Sequence, residues 1–185
     1  SILKKLQVEA LINLFFQYSG FVVVLPLLLS HWQRNTGVAP VYRIVRIYLI
    51  LCSFTQLFAF MLWKHKINNF PLLHFYTFFE FTVLILFFSH LKPGRFSNKQ
   101  MVFTTLLFLV ICLIDAFVTG SIYTFNTYSR TTESLVIILL CLSWFINTTP
   151  LQTRNAKKSP PGSDHMVRGF LIYFSGALVF FAFGE

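Results

Sequence analysis

Long apolar runs separated by short polar connectors make up most of this chain of 185 residues. At about 1.5 Å rise per residue, a helix of ~20 residues crosses the ~30 Å hydrocarbon core of a bilayer. Six runs approach that length, at about residues 11–32, 44–63, 70–91, 101–123, 134–149 and 169–184. The pattern predicts an all-α, polytopic bundle of transmembrane helices, with six spans or six of seven.

The connectors carry the helix breakers and are too short to hold a separate soluble domain. Asn68-Asn69 and Pro93-Gly94 mark two of them, and the longest, residues 153–165, contains Ser159-Pro160-Pro161-Gly162. Proline and glycine at this density favour a loop. We therefore predict one transmembrane domain over residues 1–185, with a flexible cytoplasmic linker at 153–165.

Composition supports a membrane rather than a soluble protein. Hydrophobic residues make up 56% of the chain and charged residues 11%, whereas soluble domains carry about 25% charged residues. The net charge of +9 comes from basic residues placed between apolar runs. This placement indicates membrane topology and attraction to anionic lipid headgroups, and argues against nucleic acid as a partner.

The basic residues also predict an orientation in the membrane. Odd-numbered connectors carry ten of them, and the opposite side carries five. The first set is Arg34, Arg43, Arg46, Lys92, Arg95, Lys99, Arg154, Lys157, Lys158 and Arg168, and the second is Lys4, Lys5, Lys64, Lys66 and Arg130. By the positive-inside rule the odd connectors are cytoplasmic and the N-terminus is outside.

Glu80 is the strongest candidate for chemistry, because it lies near the middle of the third run. An intramembrane carboxyl group is costly unless it faces the bundle and is paired or protonated. Helical spacing puts Tyr76 and Thr77 on the same face, within reach of the carboxyl group. Two roles stay open: a proton relay, cation site or ligand anchor, or a protonated side chain that locks helices together.

Other polar residues inside the runs are weaker candidates. Asp115 and Gln56 fall at a depth near that of His74 to Glu80, so a polar cluster open to the outer side is one interpretation. The other is that each polar side chain joins a different pair of helices. Arg130 and Glu133, three residues apart at the start of the fifth run, are predicted to form an interfacial ion pair.

Metal and cofactor chemistry finds no support in the sequence. Cys52, Cys112 and Cys141 each lie in an apolar run without a CxxC partner, so we predict three reduced thiols that act as small hydrophobic residues. There is no HExxH motif and no nucleotide-binding glycine pattern. We predict neither a metal site nor a cofactor.

Two stretches carry a resemblance to known proteins: Asn69-Phe70-Pro71-Leu72-Leu73-His74-Phe75-Tyr76-Thr77-Phe78-Phe79-Glu80 and Leu171-Ile172-Tyr173-Phe174-Ser175-Gly176. They resemble uncharacterised bacterial membrane proteins and the multi-helix membrane sensor regions that precede some histidine kinases. The resemblance implies a place in the bacterial inner membrane and a further span after the Tyr-Phe-Ser-Gly helix. It also implies a histidine kinase or another signalling protein as partner, beside membrane lipids.

These observations lead to one expected function and two rivals. We expect a sensory or regulatory membrane module without catalytic activity of its own, with the third run as its ligand- or proton-responsive element. A small transporter or channel that uses Glu80 and Asp115 for a coupling ion is the first alternative. A membrane enzyme that modifies lipid is the second.

The charge asymmetry generates a test of topology. Single cysteines in the Pro93-Gly94 and Lys157-Lys158 connectors should be shielded from a membrane-impermeant thiol reagent in intact cells. Cysteines near Asn68 and Asn126 should be labelled. The reverse labelling pattern would contradict the predicted orientation.

Overall fold

The computed structural model describes residues 40–91, 97–119, 121–148 and 162–183, and these residues are almost entirely helical. In chain order the helices are α1 (Pro40–Lys64), α2 (Phe70–Leu91), α3 (Asn98–Ile114), α4 (Thr127–Thr148) and α5 (Ser163–Phe183). A π-helical turn, Asp115–Thr119, continues α3. The predicted all-α bundle is therefore confirmed as a fold class.

The predicted number of about six spans is wrong for the part of the chain described here. Four helices are long and apolar enough to cross a membrane: Pro40–Lys64, Phe70–Leu91, Lys99–Val118 and Thr127–Ile146. The predicted span 11–32 lies outside the described residues. The predicted span 169–184 belongs to α5, where Asp164, His165 and Arg168 occupy the first turns. Helix α5 is not among these four helices.

Helix boundaries differ from the predicted runs mainly at polar ends. Helix α2 has the predicted bounds, but α4 begins at Thr127 and α5 at Ser163. Residues 163–165 of the predicted linker are therefore helical, and residues 153–161 lie outside the described part. Both helices begin in polar sequence, which a hydropathy pattern assigns to connectors.

Helix α2 is the centre of the bundle. Half of an apolar stretch of 18 residues in α2 is buried inside the protein, against 11% of the corresponding stretch in α1 and 22% in α3. It packs against α1, α3 and α4, while α4 also packs closely on α5. The buried core includes Phe81, Leu84 and Phe87 of α2, with Phe81 stacked on Phe108 of α3 at a ring distance of 3.9 Å. The outward faces are apolar as well, as shown by Phe79 and Phe103, which are 50% and 67% exposed.

Local hydrogen bonds fix two of the helix ends. Ser97 and Gln100 form a reciprocal capping box at the start of α3, which satisfies two backbone donors. At the end of α1, Lys66 takes a left-handed conformation with φ of 57°. Its N–H donates to Trp63 O at 2.9 Å, and Ile67 N–H donates to Leu62 O at 2.9 Å. This is a Schellman ending, in which the position of Lys66 favours glycine.

The end of α1 gives a test in which glycine substitutions at two nearby lysines should have opposite effects on stability. Lys66→Gly should stabilise the protein by roughly 0.5–1 kcal/mol, because glycine takes the left-handed conformation without a Cβ clash. Lys64→Gly, two residues earlier in helical conformation, should destabilise it by about 1 kcal/mol. The melting temperature in detergent should therefore rise for the first variant and fall for the second. A fall for both would contradict the assigned backbone conformation.

Candidate functional site

A cluster of three ionisable side chains lies inside the bundle, between α2 and α4. Its members are Glu80, Arg130 and Glu133, and we call it the ion cluster. Glu80 and Glu133 have no exposed surface, and Arg130 is 8% exposed. One guanidinium nitrogen of Arg130, Nη1, contacts Glu80 Oε2 and also donates to Glu133 Oε2 at 3.0 Å. One buried cation is thus shared by two buried carboxyl groups.

Tyrosine side chains extend the ion cluster to a third helix. Tyr48 of α1 donates its hydroxyl hydrogen to Glu80 Oε1 at 2.9 Å. The guanidinium of Arg130 lies 4.9 Å from the ring centre of Tyr76, a distance at which the ring attracts a cation. The hydroxyl group of Tyr76 contacts Cys52 Sγ on α1 at 3.2 Å. The ion cluster therefore joins α1, α2 and α4.

The connector before α4 determines where Arg130 points. Asn126 donates to Thr77 Oγ1 at 2.6 Å and to Leu73 O at 3.3 Å, both on α2. His74 Nε2 lies 3.2 Å from Thr124 O in the same connector. These contacts fix the start of α4 against α2. Arg130 follows in the first turn, where its N–H donates to Asn126 O at 3.0 Å.

Asp115, in the π-helical turn after α3, binds the first turn of α4. It is 4% exposed, and its Oδ2 accepts a hydrogen bond from Ser129 N–H at 2.8 Å. Free N–H groups at a helix start favour a carboxylate partner. The π-helical turn begins at Asp115, and such turns reposition side chains relative to a regular α-helix. Asp115 thus acts on the start of α4, not on Glu80 directly.

The structure therefore separates the residues that the sequence singled out. Glu80 is in the ion cluster, and Tyr76 lies against it through its ring. Thr77 and His74 bond to the α3–α4 connector, and Asp115 bonds to the start of α4. Gln56 is half-buried on α1 and belongs to none of these networks. Separate polar contacts between different elements describe Thr77, His74 and Asp115 better than one outward-opening cluster.

Arg130 is the residue whose role sequence reasoning missed. The i, i+3 ion pair with Glu133 is present, and both side chains are buried inside the bundle, where Arg130 also contacts Glu80. They lie three and six residues after Thr127, the first residue of α4. The sequence pattern assigns this stretch to a connector, because it is polar or aromatic throughout: Thr127-Tyr128-Ser129-Arg130-Thr131-Thr132-Glu133. The available signal was charge balance, because an intramembrane acid such as Glu80 calls for a basic partner in a neighbouring segment.

The rest of the described chain adds no competing site chemistry. All three cysteines are free, as predicted. Among the described residues, no group of three or more His, Cys, Asp and Glu side chains is placed to hold a metal ion. An open groove of about 290 Å³ lies between α1 and α5, with Val45, Tyr48, Phe170 and Tyr173 among its lining residues. The lining of the groove is mainly apolar.

The topology test also gains a better labelling position from the structure. Asn126 is 1% exposed, so a cysteine there would be shielded on either side of the membrane. Tyr123, in the same connector, is 65% exposed and is the position to label.

Comparisons with protein-family models, curated proteins and solved structures found no match to this chain.

The shared cation predicts an uneven response to mutation. Arg130→Gln leaves two carboxyl groups without their cation and should destabilise the protein by about 3–5 kcal/mol, as measured for broken buried pairs. The triple variant Glu80→Gln, Arg130→Gln, Glu133→Gln removes all three ionisable groups and should recover most of that loss. Thermal unfolding in detergent measures both. As a control, Arg168→Gln on the exposed side of α5 should shift the melting temperature little.

A triple variant no more stable than Arg130→Gln would contradict this account. It would mean that Arg130 stabilises the bundle by packing rather than by compensating buried charge.

Proposed function

We propose that this chain is a membrane-embedded sensory or regulatory module without catalytic activity of its own, and that the ion cluster is its responsive element. The observation that supports this is the burial of one cation and two carboxyl groups at the junction of three helices. Ionisable side chains are costly inside a membrane and are commonly retained there for function. A change in the charge or ligation of the cluster would alter the contacts among α1, α2 and α4.

Burial of the ion cluster favours a sensor over a transporter or channel. A conducted or coupled ion needs a polar route that water can reach. Glu80 and Glu133 have no exposed surface, and the groove between α1 and α5 is mainly apolar. The cluster is therefore better suited to report a state through helix packing than to pass ions.

Helix α4 offers a path from the ion cluster to the other end of the bundle. Trp144, eleven residues after Glu133, is 4% exposed, and its indole N–H donates to Asp164 Oδ1 on α5 at 3.2 Å. The close packing of α4 on α5 would carry a displacement of α4 into the first turn of α5. In our proposal this end is cytoplasmic, in a bacterial inner membrane, and faces a histidine kinase or another signalling protein.

Glu80→Gln tests this proposal because it removes the carboxylate of α2 from the cluster without leaving Arg130 unpaired. Glu133 remains as the partner of Arg130, so the fold should persist. The emission of Trp144, isolated by replacing Trp32 and Trp63 with Phe, should differ between Glu80→Gln and the parent protein at the same pH. Asp115→Asn is the matched control, since it neutralises another buried acid but keeps an oxygen for Ser129 N–H. It should leave the emission unchanged.

Proteoliposomes that contain the parent protein or Glu80→Gln distinguish a sensor from a transporter. With a pH-sensitive dye inside, an imposed proton gradient should decay at the rate of protein-free vesicles for both the parent protein and Glu80→Gln. Proton flux in the parent protein that Glu80→Gln abolishes would replace our proposal with the transporter. Unchanged Trp144 emission in Glu80→Gln would remove the ion cluster as the responsive element.

A further inference from the structure

We infer that the ion cluster binds one proton, and that this proton is held on Oε1 of Glu133. The inference names the ligand of the site and rests on the proposed function for its biological meaning. The protonation itself follows from charge balance and from the hydrogen bonds of the two carboxyl groups.

The charges of the ion cluster do not balance when both acids are ionised. Two carboxylates against one guanidinium leave one negative charge in a space without solvent exposure. The titratable side chains that face the cluster from the packed helices are phenols and thiols: Tyr48 and Cys52 of α1, Tyr76 of α2, Cys112 of α3, and Tyr173 of α5. None of these described groups supplies a second cation. One bound proton restores neutrality.

Hydrogen bonding decides which acid holds that proton. Both oxygens of Glu80 accept from donors, Oε2 from Arg130 and Oε1 from Tyr48. Glu133 accepts from Arg130 only at Oε2, and its Oε1 is buried without a hydrogen-bond partner among the described residues. A buried polar group without a partner costs far less when neutral than when charged. Glu80 is therefore the ionised partner of Arg130, and Glu133 is the protonated acid.

Release of the proton would change the cluster in a defined way. Glu133 would become a second full carboxylate on the same Arg130 nitrogen, and it would repel Glu80 across the α2–α4 contact. The resulting negative charge has no other described cation nearby. Proton release therefore favours separation of α2 from α4 or entry of a cation.

Infrared difference spectroscopy on the protein in lipid vesicles tests the protonation directly. At neutral pH, the parent protein minus Glu133→Gln should show the carbonyl stretch of one protonated carboxylic acid. The band should also be missing from Glu80→Gln, because Glu133 would then ionise to pair with Arg130. Glu133→Asp should move the band to the frequency of an aspartic acid, and Glu80→Asp should leave it in place.

Two results would overturn the inference. Absence of the band at neutral pH would mean that both acids are ionised. A band that moves in Glu80→Asp and not in Glu133→Asp would place the proton on Glu80. Neither result depends on conformational signalling. If the band is present but the emission of Trp144 does not change in Glu80→Gln, the proton site stands and the sensory role is refuted. If the emission changes but the band is absent, the sensory role stands and the proton site is refuted.

Discussion

The contact between the guanidinium of Arg130 and the carboxylate of Glu80 holds the centre of this bundle together. It joins two residues that are 50 positions apart in the sequence and have almost no exposed surface. An unpaired buried charge would cost several kcal/mol, so Arg130 needs at least one ionised carboxyl partner, Glu80 in the parent protein or Glu133 when Glu80 is replaced. The position of α2 relative to α4 is consequently coupled to the ionisation of the cluster.

The remaining polar contacts position the side chain of Arg130. Asn126 and His74 fasten the α3–α4 connector to α2, and Asp115 meets the first turn of α4. Tyr48 satisfies the second oxygen of Glu80 and brings α1 into the same network. Each of these side chains would be a weak stabiliser by itself, since hydrogen bonds between membrane helices average about 0.6 kcal/mol. Their shared effect is to set one geometry for the ion cluster.

The sequence predicted the parts of this arrangement that depend on hydrophobicity. It predicted the bounds of α2 and the inward-facing positions of Glu80 and Thr77. It did not predict that α4 begins at Thr127, because eight consecutive residues from Thr127 to Ser134 are polar or aromatic and resemble a connector. These residues are helical nonetheless, and Arg130 among them finds its partner in Glu80. That partner is a tertiary contact, which periodicity along one segment cannot reveal.

Span counting failed for a related reason. The polar residues Asp164, His165 and Arg168 are part of α5, so its helical length exceeds its apolar length. Hydropathy reports apolar length alone, whereas the beginning of a helix depends on capping and on neighbours such as Trp144, which bonds to Asp164. The polar starts of α4 and α5 are the two places where tertiary contacts override the local pattern.

The most direct test of the account is an exchange of the two charges across the α2–α4 contact. Glu80→Arg and Arg130→Glu should each lower the melting temperature sharply, because each places like charges together in a buried site. The double variant Glu80→Arg, Arg130→Glu restores an opposite pair, and it should recover a substantial part of the loss. A double variant no more stable than the weaker single variant would show that Glu80 and Arg130 do not meet in the membrane.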